Sequence, residues 1–504
     1  MGQTDRIAST TPYTHGYYKA LSPAQITAVL ELQGLQPPDL ARPLNYCELG
    51  MGFGVSLVAN AACFPNIRFH GNDFNPAHVA YARELARDAG LANVELFDDS
   101  FEQMLARELP AMDFIVLHGI WSWVSAETRR LLTEFIDKRL ARGGVVYVSH
   151  NVLPGWSALT PLREWMYLHS ARLGAEAGAV ERARVVLEAA TALQAHAPAS
   201  LAGPAVAAHL ASLRDADPAY IAHEYLVPDW HPLYFHQVAG ELGRAGLEHA
   251  GSAVLEQNLD GWLETAQSRS LAGVADPLLK ESLRDYQANT LFRRDLYTRE
   301  AAPLGLREHV RRLQERRWML VSPLEEVTLA RLPAELGRLL QDMPVRPLLE
   351  ALGAGPLTLV EARALPGLRG VDEATLLGAL LLVAEPVMSE AATAAARTGV
   401  RRFNDVVLDR AGRDGLNILL SPRTAQATRW SGASMHLIRL HLDGMNDADA
   451  IAPAWRDRLA AAGHAVRRDG VELSDPLDRL DYLKGRARDY LGGQVPKLAE
   501  LGVI

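Results

Sequence analysis

The sequence predicts an α/β fold, a mainly parallel sheet covered on both faces by helices, followed by helical and mixed segments. Three observations carry this. Between Leu44 and about Leu153, short runs rich in Val, Ile, Phe and Tyr alternate with helical patterns. That richness is what strands buried on both faces require. The first run passes directly into a glycine-rich stretch, YCELGMGFGVS at 46–56, at the point where a strand hands over to a helix.

In chain order, the expected strands are LNYCEL (44–49), RFHGNDF (68–74), NVELF (93–97), DFIVLHG (113–119) and GGVVYVSH (143–150). The segments between them read as helices: SLVANAACF (56–64), PAHVAYARELARDAG (76–90), FEQMLAREL (101–109) and SAETRRLLTEFIDKRLARG (125–143). After Pro154-Gly155 the pattern becomes helical and amphipathic, broken by APASLAGPA at 197–205. Residues 233–255 read helix, glycine stop, strand, a return to the sheet. From about Asp260 the chain is helical. Residues 347–384 resemble three short helices of a winged-helix module, but the third, 371–384, has no Lys or Arg to read DNA. The expected division is a core at 1–158, a helical insertion at 159–218, a return to the core at 219–260, a helical middle domain at 261–388 and a mixed C-terminal domain at 389–504.

Composition narrows the function. A net charge of −9 over 504 residues argues against a general nucleic-acid binder. Cys47 and Cys63 cannot form a disulfide framework, and Cys47 sits in a strand as a core residue. The N-terminus has no signal-peptide pattern. The longest apolar stretch, ATLLGALLLVA at 374–384, is too short to span a bilayer. The expectation is a cytoplasmic protein without membrane insertion. His223, His231 and His236 fit no helix face and have no cysteine beside them, so no metal site is expected.

The glycine stretch points to a nucleotide. A dinucleotide fingerprint needs its third glycine three residues after the second, and that place holds Val55. The order found, Glu48-x-Gly50-x-Gly52-x-Gly54, resembles motif I of class I S-adenosylmethionine (SAM) methyltransferases. Their fold is Rossmann-like. The resemblance implies that the glycines approach SAM and that Glu48 supports its amino-acid end. Asp73, twenty-five residues after Glu48, takes the place of the ribose-binding carboxylate, with Phe74 beside it. Asp99 or Ser100 stands where the family bonds adenine; a helix cap before FEQML is an equal reading of Ser100.

LHGIWSWVSAETR (117–129) and VYVSHNVLPGW (146–156) are similar to paired signatures of one branch. Its members carry a methyltransferase regulatory region and include the rickettsial protein-lysine methyltransferases. PYTHGYYKALSPA (12–24), YIAHEYLVPDWHPLYF (220–235) and ANTLFRRDLY (288–297) resemble further pieces of that branch. Met51 and His150 depart from its pattern, which has a small residue or Cys and a Tyr there. The resemblance implies SAM as cofactor, a regulatory role for the middle domain and a homodimer, with the helical insertion as the dimer surface. It also implies a protein lysine as methyl acceptor. A small-molecule N- or O-methyltransferase and a non-catalytic SAM-binding scaffold stand as alternatives.

Transfer to an amine needs a neutral nucleophile in a desolvated, aromatic site. His118, Trp121 and Trp123 follow the fourth strand, where the methyl is expected, so His118 is a candidate on both the cofactor and the catalytic side. Tyr13, His15, Tyr17 and Tyr18 form a candidate N-terminal lid. For Trp121 and Trp123 two readings stand: acceptor wall, or core beneath the next helix.

Overall fold

The computed structural model describes residues 15–174, 177–196, 198–259, 270–324, 327, 343–388, 393–411, 415–468 and 470–504. Helix α1 (Pro23–Leu32) precedes the sheet. Strands β1 (Leu44–Leu49), β2 (Ile67–Asn72), β3 (Val94–Phe97), β4 (Met112–Leu117) and β5 (Leu140–Leu153) alternate with helices α2 (Val55–Cys63), α3 (Pro76–Asp88), α4 (Phe101–Ala106) and α5 (Ala126–Arg139). The five strands are parallel, in the order β3-β2-β1-β4-β5. The α/β expectation therefore holds across this region. Strand order reverses between β1 and β4, and ligands bind open α/β sheets at such a switch point. The two faces of the sheet bury different side chains. Tyr46, Phe69, Phe114 and Tyr147 pack on one side; Cys47, Ile115, Val146 and Val148 pack on the other.

β5 is longer than the sequence suggests because it has strand partners at Leu140 and from Val145 to its end. Residues 145–151 pair antiparallel with β8 (Phe292–Thr298), and 152–153 pair with β6 (Leu233–Tyr234). β7 (Glu248–Ser252) completes the edge against β8. β8 overturns the expected boundary at 260, since residues past 261 enter the main sheet. Its charges had hidden it. Arg293 is buried, and its guanidinium satisfies Asp295 (2.6 Å), Glu281 (2.8 Å) and Asp285 (3.0 Å), so a charged run becomes an interior strand.

The helical insertion also runs further than expected. α6 (Thr160–Ser170), α7 (Ala179–Ala195), α8 (Pro204–Arg214) and α9 (Pro218–Tyr225) share a core of Trp156, Leu162, Val186, Leu210, Tyr225 and Trp230. Asp217-Pro218 reads as a break but starts α9: the Asp217 carboxylate accepts the Ala219 N–H at 2.8 Å, with Pro in the first turn. The chain then returns through β6, α10 (Phe235–Gly243) and β7. α11 (Pro277–Ala288) leads into β8.

Beyond β8, α12 (Leu306–Glu315) leads to β9 (Arg317–Met319). α13 (Val345–Ala354), β10 (Leu357–Thr358), α14 (Leu359–Ala364), α15 (Glu373–Val383) and β11 (Glu385–Pro386) follow, with the small sheet ordered β10-β9-β11. α16 (Ala394–Asp409) packs on α2 so closely that a Cβ on Gly399 would lie 2.6 Å from the Ala62 carbonyl oxygen. The hairpin β12 (Ile418–Ser421) and β13 (Gln426–Arg429) follows. One apolar core runs from Tyr46 and Leu57 through Leu348 and Leu380 to Phe403 and Ile438. Among the described residues no helix is long and apolar enough to cross a membrane.

Candidate active site

The turn after β1 is built from backbone. Gly50, Gly52 and Gly54 all have positive φ, at 68°, 56° and 62°, a conformation open to glycine at little cost. A Cβ on Gly52 would meet nothing within 4 Å, whereas one on Gly54 would lie 2.9 Å from the Ala82 Cβ. Met51 is buried. Its sulfur sits 2.8 Å from where a Cβ on Gly71 would be, so that glycine makes room for the thioether and the turn is not crowded. The end of β2 holds the turn. The Asp73 Oδ2 accepts the Gly52 N–H at 2.9 Å; its Oδ1 accepts the Asn75 N–H at 2.9 Å and lies 3.1 Å from His78 Nδ1. The Asn72 carbonyl accepts the Met51 N–H at 2.9 Å, and its side-chain amide donates to the Asp99 carbonyl at 2.9 Å. Glu48 is buried beside this turn. Its Oε2 has no hydrogen-bond partner, and burial pushes the carboxyl up to about 8. An orphaned buried carboxyl at a glycine turn suits the ammonium of an amino-acid ligand.

A second cluster lies at the ends of β4 and β5. His118 follows β4, with Nδ1 2.8 Å from the Tyr147 hydroxyl and 3.2 Å from Ser149 Oγ. Ser149 Oγ also accepts the Gly119 N–H at 2.8 Å. The Tyr18 ring lies over the imidazole, centroids 4.0 Å apart, and Phe292 meets it edge-on at 6.0 Å. Burial, with the Arg294 charge adding to it, pushes His118 down to about 3, so this imidazole is neutral. Burial raises the Tyr147 hydroxyl, which stays protonated. The Asn151 amide nitrogen is buried without a partner in the same strand.

Two open clefts lie elsewhere. One of about 760 Å³ is lined by the ion-paired Glu31, Arg312 and Arg316. Another of about 580 Å³ is lined by Glu281, Asp285, Arg293 and Asp295. Neither includes the glycine turn or His118.

Residues 47–144 match the methyltransferase domain family, and residues 217–299 match the predicted methyltransferase regulatory domain. An uncharacterized protein of Synechocystis is 34% identical over 501 residues, covering 97% of both chains. The chain belongs to the class I SAM-dependent methyltransferases that carry a regulatory domain. An uncharacterized protein of Rickettsia prowazekii is 25% identical over 292 residues, 56% of this methyltransferase and 51% of that protein. In three dimensions the methyltransferase is similar to PKMT2 from Rickettsia typhi. The TM-score is 0.70 at 19% identity, covering 98% of this chain and 99% of that one. The same rickettsial protein in complex with AdoHcy gives 0.69 at 20% identity, covering 95% and 99%. The regulatory match straddles the boundary expected at 260; its strands β6, β7 and β8 edge the methyltransferase sheet.

The fold brings Glu48, the three glycines and Asp73 together around one turn. The other expected site residues have partners of their own. Asp99 is held by Arg107, with Nε at 2.6 Å from Oδ2. Ser100 caps α4 in a reciprocal pair with Gln103, which is the cap reading. Phe74 is 50% exposed. Trp121 is fully buried and donates its indole N–H to Glu241 at 2.9 Å, so it belongs to the core beneath the loop. Trp123 packs on the core of the helical insertion. Tyr13 lies outside the described residues. His15 stacks on Phe53 at 4.1 Å, beside the glycine turn. Sequence reasoning singled out neither Tyr147 and Ser149, inside VYVSHN, nor Phe292 and Arg294, inside ANTLFRRDLY. Period-two alternation from Val145 would have set Tyr147, Ser149 and Asn151 on one face of β5.

Proposed function

We propose that this methyltransferase methylates an amine, the side chain of a protein lysine, beside the cluster of Tyr18, His118, Tyr147, Ser149 and Phe292. The observation that carries the reading is a neutral imidazole bonded to Tyr147 and covered by an aromatic ring at the switch-point end of the sheet. SAM supplies an electrophilic methyl group when bound. Glu48 would face its ammonium, and Gly50, Gly52 and Gly54 would let it approach the backbone. Asp73 would accept a ribose hydroxyl. A carboxylate has about four acceptor positions, and three on Asp73 serve Gly52, Asn75 and His78, so the ribose shares it with the turn.

The acceptor amine must be neutral. Bringing a lysine from about 10.4 towards 7 is worth roughly 5 kcal/mol. A desolvated aromatic cleft and the charge of Arg294 both disfavour an ammonium. His118, held at about 3, is too weak a base to keep a proton, so its work is to orient. Together with Tyr147 and Ser149 it offers acceptors to the amine N–H bonds and aims the lone pair for in-line attack. The choice of lysine is supported by the sequence signatures at 117–129 and 146–156 and by the full-length likeness to PKMT2.

Assembly follows the same reading. Leu168 and Val180 on the insertion are exposed, and we assign this face to a homodimer of a cytoplasmic enzyme. Sedimentation at micromolar concentration tests it, with a monomer as the contrary result. For the activity, incubation with methyl-labelled SAM and a cell extract should place label in protein as base-stable methyllysine. Label in small molecules, base-labile esters or no turnover would replace the reading with one of its alternatives.

A further inference from the structure

Tyr18 reaches the cleft on a short strap, and the strap is held from the far end of the chain. Its own N–H donates to Ser56 Oγ at 2.9 Å, and its ring lies on His118. One residue later, Lys19 pairs with Glu385 at the start of β11, at 2.6 Å. Ser22 Oγ donates to the Ala425 carbonyl at 3.2 Å. The Gln426 amide donates to Gln25 Oε1 at 3.2 Å. The Tyr17 hydroxyl is buried near the Ala427 backbone. The contacts of Ser22, Gln25 and Tyr17 converge on one feature, the β12–β13 hairpin.

That turn is itself strained. Ala425 has φ 51°, in the left-handed region that side chains avoid. Ser421 Oγ accepts the Arg423 and Thr424 N–H groups at 3.2 and 3.4 Å and so stiffens the turn from within. The strained residue is the one whose carbonyl receives Ser22. A docking contact between domains needs no such conformation.

We infer that Glu385 and the β12–β13 turn are positioning elements for methyl transfer, fixing the strap so that the Tyr18 ring is held against His118. The inference rests on the proposed assignment of the acceptor cleft. It gives the middle and C-terminal domains a part in chemistry that none of their residues touches directly.

Charge reversal in the full-length protein tests it. Lys19→Glu and Glu385→Lys should each lower kcat about fivefold in the labelled-methyl assay on extract protein, with SAM affinity within about twofold. The double reversal should recover most of the loss, because it restores the pair. Should reversal unfold the chain, Glu385→Gln carries the test by removing the charge while keeping the shape. Melting temperature is measured alongside; a lowered Tm with unchanged kcat means mere docking and overturns the inference. So does a kcat loss that the double reversal leaves in place. Tyr18→Ala is the reference. If it loses turnover while the reversals do not, the positioning role fails and the cleft assignment stands. If Tyr18→Ala turns over normally, the cleft assignment fails and takes this inference with it.

Discussion

The two clusters at the carboxyl ends of the strands are built differently. The glycine-turn end is local and made of backbone: three positive-φ glycines, one orphaned carboxyl and one carboxylate, all between Glu48 and Asp73. The His118 end is assembled from afar, with Tyr18, His118, Tyr147 and Phe292 drawn from four places in the chain. Holding a common cofactor needs a fixed backbone shape, which a short segment can encode. Shaping an acceptor site needs side chains that only the completed sheet brings together. The first end is therefore readable as a motif, and the second only as a structure.

Substitutions distinguish the two clusters. The largest effect is expected at Trp121. As a core residue, Trp121→Ala should cost about 3–5 kcal/mol of stability, and SAM binding and turnover should fall together with Tm. A stable variant with intact SAM affinity and lost turnover would return Trp121 to the acceptor wall.

Next is Asp73. Asp73→Ala removes the proposed acceptor of a ribose hydroxyl and also frees the Gly52 N–H, so SAM affinity should drop by about 2 kcal/mol or more, roughly thirtyfold. Calorimetry giving unchanged affinity in a folded variant would remove Asp73 from the cofactor site. NADH, which needs the glycine that Val55 replaces, should not bind either protein.

The smallest expected effect concerns protons at Glu48. Its folded value near 8 lies above the unfolded value of about 4.3, so the folded state binds the extra proton between them. Stability from this group is fully present below about 4.3 and is lost as pH rises towards 8. A cationic ligand amine draws that proton off. SAM affinity should therefore rise with pH, about tenfold between pH 5 and 7, with proton release seen as a buffer-dependent binding enthalpy. Glu48→Gln should flatten the slope; a slope that survives the substitution would exclude Glu48 as its source.

The sequence carried the parallel sheet because two-sided burial enriches its strands in Val, Ile, Phe and Tyr, and LNYCEL matches β1 residue for residue. It lost β8, since Arg293, Arg294 and Asp295 read as surface until Glu281 and Asp285 are seen to pair with Arg293 across the fold. It placed the end of the insertion too early because Asp217-Pro218 serves equally as a break and as a helix start. The tryptophans beside His118 drew attention by type, while Tyr147, one strand away, carries the hydrogen bond. Pairing across strands is a tertiary fact, and no local spacing encodes it.

The central claim is that cofactor holding and acceptor orientation reside at separate ends. Tyr147→Phe tests it most directly, because it removes one hydroxyl and leaves the ring. SAM affinity by calorimetry and the single-turnover rate of methyl transfer should be measured on the same folded sample. The account predicts an affinity within about twofold of the unmodified protein and a rate lowered roughly tenfold, near 1.4 kcal/mol. An unchanged rate, or a rate that falls only in step with SAM affinity, would contradict it.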